Sequence, residues 1–312
     1  MQDLLLAHVN GQLVPQKDAT ISIHDKGFIY ADGVFDTLRT FDGELFRLEE
    51  HVDRLLDSLA YARIEAGLSR SEWMEATEAL VEANRPHLPG GEDFWVTQRV
   101  TSGLHHFYDP AAEPSPPTII IDCVPLPLRA RAPYFTKGVD MTVANRRRVA
   151  PEALSPNAKT LNYMNMMLAQ REVAATSPGS WALMCDRNGN LAEGAGCNVF
   201  FVKDGVVYTP TTEYVLAGVS RAVVLELCAK LGLELREEDI SLFRGATADE
   251  AFLTSTSLCA VPVGSLNGRA LPNGVPGPVT QRIMTAFAEL VGMDYVGQYL
   301  RFLGNEPAKI GL

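Results

Sequence analysis

The chain has 312 residues, 46% of them hydrophobic, enough to bury a sizeable core and to divide into two domains. Its net charge of -11 argues against broad binding to nucleic acid or to an anionic membrane surface. Five cysteines, an odd number without close paired spacing, argue for a reduced, cytoplasmic protein, and no apolar run is long enough for a signal or membrane-spanning segment.

LLLAHVNGQLV reads as a hairpin turning at Asn10 and Gly11, and VFDTLRTFDGELFRL as two strands joined by Asp42 and Gly43. Leu48, Val52, Leu55, Leu56 and Leu59 then give an amphipathic helix over Leu48 to Ile64, carrying His51 and Arg54 in its first half. A second helix runs from Ser71 through Ala83 with Glu72 in its first turn. FWVTQRVTSG and TIIIDCVPL are strand-like, with a Pro-rich connection around AAEPSPP between them. These elements predict a smaller α/β domain over residues 1–125. The prolines of PLPLRARAPYFTKG interrupt helix and interior strand alike, so residues 126–138 read as an interdomain linker.

Residues 139–312 read as a larger domain beginning with VDMTVANRRRVA. In the stretch from Ala158 to Ala175, Leu161, Met164, Met167, Leu168 and Val173 recur with helical spacing, which places Lys159 in the first turn of an apolar helix. WALMCDRNGNLAEGAGCNVFFVKDGVVYTP is a succession of short strands and glycine turns, with AsnGly at 188 and 189 and AspGly at 204 and 205. Ser220 is placed to cap a helix from Arg221 to Leu231, EAFLTSTSLCAVPVGSLNGRAL supplies further strands, and Pro278 suits the start of a closing helix. The fold class is α/β in two domains.

A lysine at position 159 is either a solvated side chain or an amine held beside an electrophilic cofactor, where desolvation or cationic neighbours lower its pKa enough for Schiff-base chemistry. The second reading needs a phosphate cradle and a partner for a pyridine nitrogen. Glu193, in the turn-rich LAEGAGCN, is a candidate for that partner, with a solvent-facing carboxylate as the alternative. Arg54, LAGVSR at 216–221 and TSTS at 254–257 are candidate phosphate binders, offering a cation, a helix start and hydroxyls respectively. The run Arg146, Arg147 and Arg148 is either an exposed face or part of an anion site. No metal-ligand pattern is present.

Together these segments, with ISIHDKGFIYADGVFD, RLEEHVDRL, AKTLNYMN, FLTSTS and NGVPGPVT, resemble the class IV aminotransferase family of fold-type IV pyridoxal phosphate enzymes. The resemblance implies a D-amino acid aminotransferase-like fold, a cofactor-binding larger domain and pyridoxal 5'-phosphate as cofactor. It makes Lys159 the Schiff-base and proton-transfer residue, Glu193 the pyridine-nitrogen carboxylate, and Arg54 the phosphate-binding arginine of the EHxxR pattern. Val219, Ser220, Thr256 and Ser257 match the phosphate cradle, and Tyr163 resembles a tyrosine bonded to the cofactor's ring oxygen. The implied reaction is ping-pong transamination between a small-molecule amino donor and a 2-oxo acid acceptor, in a homodimer.

Within the family, Tyr30 and Phe35 resemble the aromatic pair of branched-chain aminotransferases. TSGLHHFYD lacks the arginine of the D-amino acid enzymes, although His105 is a candidate pocket residue, and TQRVTSG departs from the branched-chain arginine-proline motif. Arg39 and Arg99 are the candidate readers of a substrate carboxylate. An R-selective amine or D-amino acid transaminase is the alternative reading. A further one is an aminodeoxychorismate lyase, for which Thr37 stands at a matching threonine position.

Overall fold

The computed structural model describes residues 4–107 and 113–303, so residues 108–112, which hold the start of the AAEPSPP connection, lie outside it. Its chain separates into two compact units, one running to Leu126 and including Ala158–Asn162, the other comprising Pro127–Asn157 and the chain from Tyr163 onward.

In the first unit the opening hairpin pairs β1 (Leu6–Val9) with β2 (Gln12–Pro15), and Asn10 and Gly11 both adopt positive φ at its turn. A short helix α1 (Lys26–Tyr30), capped by Asp25, leads into β3 (Gly33–Phe41) and β4 (Glu44–Leu45), joined by Asp42 and Gly43 at φ 50° and 80°. Helices α2 (Leu48–Ala62) and α3 (Arg70–Asn84) follow, the latter opened by a reciprocal capping box between Ser69 and Glu72. Strands β5 (Phe94–Thr101) and β6 (Thr118–Pro125) complete a six-stranded sheet of order β2-β1-β6-β5-β3-β4. Alternation puts Val34, Leu38, Val96, Val100, Ile119 and Ile121 on one face, where they pack with Val52, Leu55, Trp73 and Leu80 of the two helices.

The second unit begins with two four-residue helices, α4 (Leu128–Arg131) and α5 (Tyr134–Lys137). This corrects the reading of that segment as non-helical: Pro127 and Pro133 stand at the two N-cap positions, where a missing N–H is harmless. Then come β7 (Val139–Arg147), α6 (Met164–Thr176), β8 (Trp181–Cys185), β9 (Leu191–Gly194), β10 (Cys197–Lys203) and β11 (Val206–Thr209). They are followed by α7 (Val219–Lys230), β12 (Leu235–Glu237), α8 (Leu242–Ala246), β13 (Glu250–Ser255), β14 (Cys259–Leu266) and β15 (Arg269–Ala270). Helices α9 (Pro278–Val291), with Pro278 at its start, and α10 (Tyr295–Leu300) close the chain. The sheet runs β12-β11-β10-β13-β14-β7-β8-β9, and β9 pairs β10 as well as β8, so the strand path closes on itself.

The lysine-bearing helix starts later than its sequence predicts. Residues 158–162 are irregular, with a tight turn from Thr160 N–H to Ala158 O and a single bridge from Thr160 to Val34; α6 begins at Met164, and its buried face is Met166, Ala169, Gln170 and Val173 while Met164 is exposed. The backbone of 158–162 pairs with β3 instead: Phe35 N–H donates to Lys159 O at 2.8 Å and Leu161 N–H to Gly33 O at 2.9 Å. A helix through Lys159 would forfeit those bonds. All five cysteines are buried and free, and among the described residues no helix is long and apolar enough to cross a membrane.

Candidate active site

Lys159 is placed in the first unit by its backbone. Besides the β3 bonds, its N–H donates to Ser58 Oγ at 3.1 Å, and Ser58, fully buried on α2, donates in turn to Arg54 O. The pairing also depends on Gly33, where a Cβ would lie 2.5 Å from Val100 O and 2.8 Å from Leu161 Cδ1. The Lys159 ammonium lies over the Phe35 ring, 4.4 Å from its centroid. The structure thus brings Lys159 and Phe35 together, with α2 beside them.

Arg54 sits on α2 in a buried charge cluster. Its Nε and Nη2 donate to Asp36 Oδ2 and Oδ1 at 2.7 and 2.9 Å, and His51 Nδ1–H donates to Asp36 Oδ1 at 2.6 Å. Burial opposes ionisation of Asp36, yet the charge and hydrogen bonds of Arg54 and His51 outweigh it and hold the carboxyl well below the usual carboxylate range. His51 is driven the other way: burial lowers its pKa, Asp36 counteracts, and the charges of Arg54 and Lys159 add to the lowering. Asp36 was not singled out by the sequence reading, although a charged residue at a core-facing position between Val34 and Leu38 was the available signal.

The other first-unit candidates divide. Arg99 is the cross-strand neighbour of Phe35 and donates to Asp122. Arg39 lies four residues further along β3, roughly 13 Å away at about 3.3 Å per residue. There it is 1% exposed, 3.4 Å from Asp93 and stacked over Phe41. The structure does not bring it beside Lys159. Tyr30 and His105 meet edge to face at 5.8 Å, and His105 also contacts Phe107.

In the second unit Glu193 lies on strand β9, only 3% exposed, which overturns the reading of it as a turn residue facing solvent. Its Oε1 is 2.8 Å from Arg148 Nη2, and its Oε2 accepts from Leu216 N–H at 3.0 Å and Asn198 Nδ2 at 3.4 Å. The arginine run separates by role: Arg148 holds Glu193, Arg147 braces the carbonyls of Asp186 and Arg187, and Arg146 pairs with Glu172 near the surface. Nothing in the run itself distinguished Arg148.

The Leu216 bond ties Glu193 to the loop entering α7. Asn198 Nδ2 also donates to Leu216 O at 2.9 Å, and Asn157 Oδ1 accepts from Ala217 N–H at 3.1 Å. Gly218, rather than Ser220, is the N-cap, and Ser220 lies in the first turn. A Cβ at Gly218 would fall 2.2 Å from Asn198 Oδ1, so this packing excludes a capping serine there. The helix terminus presents the backbone of Val219 and Ser220, an arrangement suited to an anion. Thr256 and Ser257 follow β13, where Arg131 donates to Ser257 Oγ and the Tyr299 hydroxyl to Ser257 O. Tyr163 is the residue before α6, packed against the cluster of Met166 and Val173 rather than set on a helix face.

The donor set suits pyridoxal 5'-phosphate. The second unit by itself carries a helix N-terminus with hydroxyls suited to a phosphate and a clamped Glu193 carboxylate suited to a protonated ring nitrogen, and the first unit by itself carries the amine of Lys159. Thr254, opposite Asn198 across β10 and β13, carries a buried hydroxyl without a hydrogen-bond partner, a polar group of the kind a bound ligand satisfies. Among the described residues no cluster capable of holding a metal ion is found.

Comparison with known proteins gives a consistent result. The family described as "Amino-transferase class IV" matches residues 33–266. The D-alanine aminotransferase of Bacillus licheniformis is 31% identical over 279 residues, covering 89% of this chain and 94% of its own. The branched-chain-amino-acid aminotransferase of Pseudomonas aeruginosa is 32% identical over 296 residues, covering 90% and 91%. The structure of the branched-chain amino acid aminotransferase of Thermobaculum terrenum in its PLP form superposes with a TM-score of 0.83 at 27% identity, over 97% of this chain and 98% of that one.

Proposed function

The chain belongs to the class IV aminotransferase family, a two-domain α/β transaminase of fold-type IV that uses pyridoxal 5'-phosphate, and on that premise we propose how its residues divide the work and which donors it takes. The observation that carries the reading is Glu193, a buried carboxylate held by Arg148 and bonded to the loop that opens the α7 N-terminus. One unit thereby joins a ring-nitrogen partner to an anion-binding helix end.

Bound pyridoxal phosphate supplies an aldehyde carbon for the donor amine and a pyridinium ring that withdraws the electron pair left when the α-C–H bond breaks. Lys159 would hold the cofactor through its Nζ, and that nitrogen is the base that would take up and give back the donor's α-proton. Glu193 would meet the ring nitrogen, and its buried ion pair with Arg148 holds the carboxylate in place for that contact. Val219, Ser220, Thr256, Ser257 and Arg54 would hold the phosphate, and Tyr163 would serve the ring oxygen. Phe35 and Tyr30 give the substrate side chain an apolar surface, with Arg99, Arg39 and His105 the polar candidates around it. Arg99 is the favoured carboxylate reader because it adjoins Phe35, while Arg39 is committed to Asp93.

The donors are branched-chain-type amino acids, with 2-oxo acids as acceptors in a ping-pong cycle. The protein works in the cytoplasm as a homodimer, and its second copy covers an exposed apolar segment: Ile21, Ile23, Phe28 and Tyr30 all stand out into solvent in one protomer.

The test is spectroscopic. Purified protein titrated with pyridoxal phosphate gains the visible band of the lysine-bound cofactor, and Lys159→Ala does not. Amino donors then bleach the band as pyridoxamine phosphate forms, with L-leucine and L-valine acting faster than D-alanine or R-1-phenylethylamine. A wild-type protein that never gains the band overturns the site assignment. Release of pyruvate and aminobenzoate from aminodeoxychorismate in place of bleaching would establish the lyase instead.

A further inference from the structure

Helices α2 and α3 cover one face of the first unit's sheet, and the other face carries a short row of side chains. Phe35, Arg99 and Ile120 stand side by side across β3, β5 and β6, and the next row on that face is Thr37, Thr97 and Asp122. Because the Lys159 amine lies over Phe35, Arg99 is the cross-strand neighbour of the ring that carries the reactive nitrogen. Arg99 Nη1 in turn donates diagonally to Asp122 Oδ1.

The two arginine–aspartate pairs on β3 and β5 differ in kind. Arg39 and Asp93 are 1% and 0% exposed, so their pair is sealed, whereas Arg99 and Asp122 are 39% and 23% exposed, so theirs is wetted and exchangeable. A guanidinium that meets one carboxylate edge-on meets another in the same geometry. Asp122 engages Arg99 through Nη1, and a substrate acid that takes that donor competes with Asp122 for it.

We propose that Asp122 is a specificity-determining residue, an internal carboxylate that occupies Arg99 and sets how strongly a substrate carboxylate is drawn to it. With Asp122 in place the Arg99 guanidinium is already paired, and an acid gains only the difference between its own pairing and the one it displaces. That handicap falls on carboxylates and leaves apolar side chains against Phe35 untouched. The inference rests on the transaminase reading and adds to it the residue that tunes acid recognition.

The experiment compares wild-type holoenzyme with Asp122→Asn, Arg99→Met and the double variant, using L-leucine and L-glutamate as donors in the half-reaction. Asp122→Asn is expected to lower the concentration for half-maximal rate by about threefold to fivefold, the scale of a partly exposed ion pair. Arg99→Met raises it, and the double variant matches Arg99→Met. A shift shared by both donors identifies the α-carboxylate as the competitor, and a shift confined to glutamate identifies the distal one. Titration of the visible band with pyridoxal phosphate gives the same cofactor affinity in wild type and Asp122→Asn. Absence of any shift, or a shift that persists with Arg99 removed, overturns the proposal. Asp122→Ser serves identically should the amide variant not fold. Failure of the wild type to bleach with any donor is a separate outcome that strikes the transaminase reading.

Discussion

Replacing Asp36 by asparagine separates a structural charge cluster from an incidental one. The Asp36 carboxylate accepts from Arg54 at 2.7 and 2.9 Å and from His51 at 2.6 Å, and it is fully buried. An amide keeps one acceptor oxygen and turns a second group, now a donor, toward a guanidinium. Removing one partner of a buried pair costs about 3–5 kcal/mol, because the remaining charge stays buried without compensation. Arg54 retains 11% side-chain exposure, so the lower end, about 3 kcal/mol, applies. At about 2.1 cal/mol/K of unfolding entropy per residue over 312 residues, that corresponds to a fall in Tm of roughly 5 °C, read by circular dichroism or calorimetry. The loss has a defined pH dependence. Asp36 is depressed in the folded state, so its contribution is present above its unfolded pKa near 3.8 and is lost as pH falls through the folded value. His51 is lowered from 6.5, so the wild type also weakens as pH drops below that value, where the unfolded chain binds the extra proton. The difference between wild type and Asp36→Asn is therefore full at neutral pH and shrinks only in strong acid. A variant within about 1 kcal/mol of wild type at pH 7 would refute the argument, since that is the scale of an exposed pair.

Two further outcomes bear on the second unit. Arg148→Met leaves Glu193 buried without its cation and is expected to weaken pyridoxal phosphate binding by about tenfold or more, the scale of a lost charge-assisted contact of about 1.5–3 kcal/mol, measured by titration of the visible band. Gly218→Ala drives a methyl to within 2.2 Å of Asn198 Oδ1, so it should cost about 1–3 kcal/mol in denaturant unfolding and loosen cofactor binding as well.

Much of the framework is written locally. The AsnGly turn at 10 and 11 and the AspGly turns at 42 and 43 and at 204 and 205 take positive φ at consecutive residues, whereas at 188 and 189 only the glycine does; Ser69 and Glu72 complete each other's hydrogen bonds, and Pro278 tolerates only the first turn of a helix. The stripe from Leu48 to Leu59 buries one face whatever it packs against. Signals of this kind need only a few neighbouring residues, and those elements stand where the sequence puts them.

The site depended on distant partners. A helix does run from Met164 onward, but it buries Met166, Ala169, Gln170 and Val173 and shares only Val173 with the stripe read from spacing, and β3 claims the backbone of residues 158–162, a contact more than 120 positions away in the chain. Glu193 among glycines looks like an exposed turn until β9 pairs with β8 and β10 and buries it. Three consecutive arginines carry one composition and three different tasks, because pleating and the ends of neighbouring strands decide which guanidinium meets Glu193. By itself the sequence determined the residue types the chemistry requires and the elements set by local bonding. Only the tertiary structure decided which of those residues are buried, paired and aimed, since burial and charge pairing arise from strands that meet after the chain has folded.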